Sequence, residues 1–199
     1  MRLGIISGSA RQLSQTGRIC RLLQDRLATK HGVTDVKLFD LAQIHLPLWD
    51  EDRLEEGHPF GIIWPDLSDE LASCDGFIIA SPEWAGMATP HLKNFLLYCD
   101  KGELAHKPAL LVGVSAGNGG AYPVAELRMS GYKNSYIWWL PEHLILRSVA
   151  GLFHDDRDKL SQSLLTRIDH LLTLLIKSTK ALGPVRKECQ DLENYPFGM

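Results

Sequence analysis

No run of apolar residues in this sequence approaches the ~18 needed to cross a membrane, and the apolar stretch behind Met1 and Arg2 is far shorter than a secretory leader's core. Blocks of like charge are missing too. With 21 Lys and Arg against 24 Asp and Glu, the formal charge of -3 excludes a polybasic membrane anchor and argues against a nucleic-acid surface. Cys20, Cys74, Cys99 and Cys189 are few and widely separated, with no Cys-x-x-Cys pair and no His grouping at zinc spacing. That pattern excludes a disulfide scaffold and a structural zinc, and it predicts reduced thiols in a cytoplasmic protein. Internal repeats and low-complexity linkers are absent as well.

What is present is enough apolar material for one well-filled domain: 199 residues, 45% hydrophobic and 23% charged. Strand-like and helix-like patterns alternate. Leu3, Ile5 and Ile6 form a compact apolar run, and Ile19, Leu22, Leu23 and Leu27 then repeat at helical spacing until Gly32. Residues 33–39 read as a second strand, and 43–65 as a long connection broken by Pro47, Pro59 and Pro65. A short helix follows, with Ser68 as its N-cap and Leu67, Leu71 and Cys74 on its buried side. Residues 76–80 and 109–114 are continuous apolar runs, as expected of strands buried on both faces of a parallel sheet. Helices are predicted from Leu92 to Cys99 and from Ala121 to Ser130, and Leu144 to Leu146 supplies a fifth strand. A long amphipathic helix carries Leu160 to Ile176. The fold class expected is α/β, a three-layer α/β/α sandwich on a five-stranded parallel sheet in flavodoxin-like order. The domain should span 1–179, with an aperiodic C-terminal arm over 180–199.

In such a sheet, ligands bind beyond the carboxyl ends of the strands. Three loops are predicted there. The first, Ser7 to Thr16, puts the hydroxyls of Ser9, Ser14 and Thr16 and the Arg11 fork at a helix N-terminus, a ready anion cradle. It carries neither Gly-x-x-x-x-Gly-Lys-[Ser/Thr] nor Gly-x-Gly-x-x-Gly, which disfavours a nucleoside triphosphate or a Rossmann-bound dinucleotide. An ordinary strand-to-helix loop capped by Ser14 remains the plain alternative. The second loop, Ser81 to Pro90, offers the Trp84 ring beside small residues; the third, Ser115 to Gly120, lets backbone approach a flat ring. Together they outline a ligand with an aromatic ring system and one phosphate, which is the outline of flavin mononucleotide.

Gly8-Ser9-Ala10-Arg11-Gln12-Leu13-Ser14, Leu46-Pro47-Leu48-Trp49-Asp50-Glu51-Asp52, Ser81-Pro82-Glu83-Trp84 with Pro90 to Asn94, and Ser115 to Gly120 resemble the NADPH-dependent FMN reductase family over about residues 3–150. The resemblance implies a flavodoxin-like enzyme with FMN and NADPH as cofactors and a small-molecule electron acceptor (a flavin, quinone, azo dye or metal oxyanion). It implies a ping-pong reaction in which NAD(P)H gives a hydride to the flavin and leaves before the acceptor takes two electrons. Carried over by position, Ser9, Arg11, Ser14, Gln15 and Thr16 would hold the phosphate. Pro82, Glu83, Trp84, Ala85 and Gly86 would line the ring, with Ser115, Gly117, Asn118 and Gly119 closing its pocket. The family usually has Tyr then Asn where this chain has Trp84 and Ala85, so an amide contact is lost and the aromatic edge enlarged. No dedicated acid or base and no metal are implied; Lys93 and Arg128 are candidates for a 2′-phosphate. Family members commonly form homodimers or homotetramers with the flavin near the interface, which would give the Trp138-Trp139 pair a role there instead of in the core.

Competing readings rest on single features. Gly113-Val114-Ser115-Ala116-Gly117 matches a hydrolase nucleophile elbow, with Glu142 and then His154 or His170 in triad order. A non-enzymatic flavin electron carrier would need an acidic docking surface and no room for a nicotinamide. The acids Asp50, Glu51, Asp52, Glu55 and Glu56 read as solvated surface with no His placed to join them, and His91, His106 and His143 as ordinary structural histidines.

Overall fold

The computed structural model describes residues 1–155 and 158–189. The carboxyl-terminal part of the expected arm, 190–199, lies outside the described residues. The chain runs β1 (Leu3–Ser7), α1 (Gln15–His31), β2 (Val36–Asp40), α2 (Phe60–Ala72), β3 (Gly76–Pro82), α3 (Pro90–Tyr98), β4 (Pro108–Val114), α4 (Ala121–Met129), β5 (Trp138–Leu146), α5 (Lys159–Ala181) and α6 (Gly183–Glu188). The five strands pair in parallel in the order β2-β1-β3-β4-β5. This is the doubly wound flavodoxin-like order.

Because strand side chains alternate between faces, each central strand feeds two cores. Ile5, Ile78, Leu110 and Val112 meet Ile19, Leu23 and Leu27 of α1 and Ile168, Leu171 and Leu175 of α5. Ile6, Phe77, Ile79 and Leu111 meet Trp64, Leu67 and Leu71 of α2, Leu92 and Phe95 of α3 and Leu127 of α4. β1, β3 and β4 are buried along their whole length, the reason their sequences read as unbroken apolar runs.

Four elements differ from expectation. β2 begins at Val36, three residues late, because Gly32 at φ +65° turns the chain and Val33 N–H still bonds back to Leu27 O at the end of α1 (2.9 Å). α2 begins at Phe60, so the last six residues of the expected connection are helical and Pro65 lies within the helix. Pro65 leaves the Gly61 carbonyl without its helical donor, but Gly61 is exposed to water, and burial of Phe60 and Trp64 against Tyr98 (ring centroids 4.7 and 5.3 Å) favours the helix. β5 is nine residues long and takes in the Trp138-Trp139 pair; Trp139 packs on the core while Trp138 stays 42% exposed. An irregularity in its pairing with β4 bulges out residues 140–142, whose carbonyls accept from Arg128 Nη2, so local hydropathy there does not alternate cleanly. Finally, α5 extends to Ala181 and α6 follows, with Arg186 Nη2 2.7 Å from Asp75 Oδ1. The first part of the expected arm is therefore helical and tied to the domain.

One buried charge, Lys107, and one partly buried ion pair tie helices to this frame. Lys107 donates to the carbonyls of Leu71 (3.0 Å), Ala72 (2.8 Å) and Glu103 (2.6 Å), satisfying the end of α2. Burial pulls its pKa down to about 8, yet three acceptors require three N–H groups, which only the ammonium form provides. Arg26 of α1 reaches both oxygens of Asp169 of α5, Nε to Oδ1 at 2.8 Å, and His31 Nε2 stands 3.5 Å from Oδ1. Partial burial pushes the Asp169 pKa up, but the Arg26 and His31 contacts outweigh it, and the carboxyl titrates below its ordinary range. A depressed carboxylate pKa stabilises the fold fully above the unfolded value near ~4 and ceases to do so as pH falls through the folded value. Asp169→Asn should cost about 1 kcal/mol at neutral pH, a loss of roughly 2–4 °C in Tm, after allowing for its one-third exposure. In acid melts the two proteins should converge below pH ~4.

Candidate functional site

The ladder hydrogen bonds continue past the strand ends and set the level at which each loop leaves the sheet. Gly8 N–H donates to Ala80 O (2.8 Å), Glu83 N–H to Val114 O (3.0 Å) and Ser115 N–H to Leu146 O (2.8 Å). In addition, Thr89 Oγ1 donates to Gly8 O, tying the first loop to the second. The three loops expected from the sequence therefore converge at the carboxyl edge of β1, β3 and β4.

In the first loop, Ser14 caps α1 by accepting from Gly17 N–H at 2.9 Å, and Ser9 Oγ accepts from Arg11 N–H at 3.3 Å. Both bonds use a lone pair of the hydroxyl, leaving its O–H to donate elsewhere. Ser9 and Thr16 are each 2% exposed. Gln15 Oε1 accepts from Arg18 Nε (2.7 Å), and Arg18 anchors the start of α1 to the carbonyls of Val149 (2.6 Å) and Leu152 (3.1 Å).

The second loop is a tight hairpin. Trp84 and Met87 exchange backbone hydrogen bonds (3.1 and 2.9 Å) around Ala85 (φ +48°) and Gly86 (φ +74°). Positive φ at both central positions is the type I′ arrangement, at which Asn-Gly is favoured; Ala85 occupies the strained first place. The loop's far end is held by Glu126, which accepts from Ala88 N–H (2.7 Å) and Lys93 Nζ (2.9 Å). Desolvation raises the Glu126 pKa, these two bonds lower it, and the net direction is down.

In the third loop, Ser115 Oγ accepts from the amides of Gly117 and Gly119, 3.2 Å each. Glu83 reaches across from the second loop to accept from Gly120 N–H at 2.5 Å, and a Cβ at Gly119 would strike the Glu83 carboxylate. Only glycine permits that approach. Glu83 thus braces the third loop against the second, in addition to facing the cavity.

Ser9, Arg11, Ser14, Gln15 and Thr16 share one cavity of about 450 Å³ with Pro82, Glu83, Trp84 and Ala85. Gly86 lies just outside it, against Tyr122, and the third loop presents Val114 and Ala116 to the cavity instead of Ser115, Gly117, Asn118 and Gly119. Asn118 accepts from Arg147 Nε through its carbonyl at 2.7 Å, and Gly117 borders open space. Leu13, Val114, Ala116 and Val149 also line the cavity and carried no chemical signal in the sequence; Val149 enters only because the chain after β5 folds back onto Ser115 (N–H to O, 3.1 Å). The Arg11 guanidinium carbon lies 5.0 Å over the Trp84 ring. A second hollow of about 740 Å³ runs between β2 and α2, but none of the three loops reaches it.

Several alternatives are corrected by this geometry. Lys93 is committed to Glu126, and Arg128 to the carbonyls of Leu140, Pro141 and Glu142, so neither is a free phosphate ligand. Ser115 spends its hydroxyl oxygen on its own loop; Glu142 pairs with Arg167 (3.0 Å) and His154 Nε2 with Ala150 O (2.9 Å), so no hydrolase triad forms among the described residues. A His does join the acidic loop, His58 Nε2 lying 3.5 Å from Asp50 Oδ2, yet among the described residues no group of three His, Cys, Asp or Glu could hold a metal. No helix among them is long and apolar enough to cross a membrane.

The strain at Ala85 is measurable. Ala85→Asn should stabilise the protein by about 0.5–1 kcal/mol, read as a rise of roughly 2–4 °C in Tm. An unchanged or lower Tm would show that the turn relaxes without cost.

Comparison with known proteins agrees with this geometry. Residues 1–149 match the family model described as NADPH-dependent FMN reductase. The chain is 23% identical over 186 residues to an NADPH azoreductase of Bacillus sp. (strain OY1-2), covering 92% of this chain and 99% of that protein. It is 30% identical over 128 residues to an FMN-dependent NADPH-azoreductase of Staphylococcus saprophyticus, covering 63% of this chain and 66% of the relative. Its fold matches that of the flavoenzyme NAD(P)H:(acceptor) oxidoreductase of Paracoccus denitrificans with a TM-score of 0.70 at 20% identity, over 89% of this chain and 98% of the other. With the phosphate-type cradle and the hairpin sharing one cavity, and the family model spanning both, the chain belongs to the NADPH-dependent FMN reductases, enzymes whose cofactors are FMN and NADPH.

Proposed function

We propose that this protein is an FMN-dependent NAD(P)H oxidoreductase that passes electrons through bound FMN to a small acceptor of the azo, quinone, flavin or metal-oxyanion type. One observation carries the reading: the hydroxyl-lined N-terminus of α1 and the Pro82 to Ala85 hairpin open into the same cavity. The donor set fits the cofactor. The cradle holds only neutral hydroxyls, an amide and the Arg11 guanidinium at the positive end of a helix, which suits a phosphate. Apart from Glu83, whose carboxylate is bonded to Gly120 N–H, the opposite wall is small or aromatic, which suits a flat ring.

Ser9, Ser14 and Thr16 donate their hydroxyls to the phosphate, Gln15 adds the first-turn amide, and Arg11 supplies charge-assisted bonds. Pro82, Trp84 and Ala85 wall one side of the ring, and Gly86 completes their turn from outside the cavity. Ser115, Gly117, Asn118 and Gly119 form the loop that carries Ala116 to the cavity, and Glu83 keeps that loop in place. When bound, FMN supplies hydride acceptance from NAD(P)H and two-electron delivery to the acceptor. The chain's own part is to bind, orient and screen. Donor and acceptor both use this cavity, each in turn, which is a ping-pong order. The azoreductase names of the relatives favour an azo acceptor. The family resemblance favours a homodimer or homotetramer, which mass photometry would read directly.

The first test is absorbance. Purified protein mixed with FMN and desalted should keep a flavin band that bleaches on anaerobic NADPH addition; a protein that retains no flavin, or whose flavin NADPH leaves oxidised, overturns the reading. Arg11→Ala should weaken FMN by about 10- to 150-fold, the loss of one charged phosphate contact. Ser115→Ala should bleach as the wild type does, because that side chain only orders its own loop.

A further inference from the structure

Arg11 is exposed and sits between Ser9 and Leu13 in a loop, where a long side chain ordinarily samples many rotamers. Its guanidinium carbon nevertheless has a defined place, 5.0 Å over the Trp84 ring. The contrast with Arg53 is informative. Arg53 stacks on Trp49 at 4.6 Å, but its edge is spent on Asp100 (3.2 Å) and the Asp50 carbonyl (3.2 Å). Among the described residues, no carboxylate or carbonyl accepts from the Arg11 guanidinium. A stack uses the face of the guanidinium and leaves its in-plane N–H groups free. Arg11 is therefore held over an aromatic ring with no protein acceptor for its guanidinium among the described residues, beside the hydroxyls of Ser9 and Ser14.

The surface that holds it is the more rigid partner. Trp84 is clamped by its backbone exchange with Met87, and the preceding residue is locked to β4 through Glu83 N–H and Val114 O. Trp is also the best of the aromatic residues at binding a cation.

We propose that Trp84 is a positioning residue for the phosphate end of the site: its indole holds Arg11 in place before a ligand arrives, so one side chain serves both the ring wall and, through Arg11, the anion cradle. The proposal rests on the reading that the FMN phosphate occupies that cradle. It also gives a physical role to the departure at position 84, since a larger aromatic face holds the cation better. Ordering Arg11 in advance removes part of the entropy cost of binding.

Equilibrium titrations of flavin fluorescence with FMN and with riboflavin, which lacks the phosphate, separate this role from simple contact with the ring. The proteins are wild type, Arg11→Ala, Trp84→Leu, Trp84→Tyr and the Arg11→Ala/Trp84→Leu double variant. Trp84→Leu should weaken FMN about two- to fivefold more than it weakens riboflavin. That extra loss should vanish in the Arg11→Ala background, and Trp84→Tyr should recover most of it. Equal loss for both flavins, or an extra loss that persists without Arg11, would overturn the proposal while leaving FMN binding intact. A wild type that binds FMN no better than riboflavin would instead overturn the cradle reading and this proposal with it. Trp84→Met, which keeps bulk without a π face, repeats the test if the leucine variant does not fold.

Discussion

The parallel ladder at the carboxyl edge of β1, β3, β4 and β5 is the constraint on which the rest depends. Its last rungs, Gly8 to Ala80, Glu83 to Val114 and Ser115 to Leu146, are backbone bonds beyond the strands proper. They place three loops at one height without any side chain having to specify it. The cavity follows from that level: a helix N-terminus on one wall, a hairpin on the other, and a glycine-rich loop braced behind them by Glu83.

Within this frame, polar groups divide between holding the site and serving it. Ser14, Ser115, Glu83 and Glu126 each satisfy backbone amides of the loops, so much of the site's apparent chemistry is structural. Ser115 illustrates the division. Its Gly-x-Ser-x-Gly setting matches a nucleophile, but its oxygen organises Gly117 and Gly119 and meets no His among the described residues. What remains free at the cavity is hydroxyl O–H groups and one guanidinium edge, a donor set for an anion.

The hairpin at Trp84 and Ala85 departs from the Tyr-Asn pair that the family resemblance implies. Ala at φ +48° removes an amide and keeps backbone strain, and Trp enlarges the ring beside Arg11. Local rules of turn chemistry favour Asn at the first of these positions. Functional loops are where such local rules are commonly set aside.

The sequence by itself determined the layer order, the buried strands, the span of α1 with its Ser14 and Gly32 caps, and the three loops that bear the site. Those features follow from periodicity and from residues whose local chemistry is nearly unconditional. The start of α2 before Pro65, the full length of β5 and the docking of Arg186 on Asp75 were decided by tertiary structure, because each depends on partners distant in the chain. So were the lining roles of Leu13, Val114, Ala116 and Val149, which bring shape and not reactivity. Arg11 marks the boundary. Its residue type announced an anion site, but only the fold brought Trp84, 73 positions later, under its guanidinium.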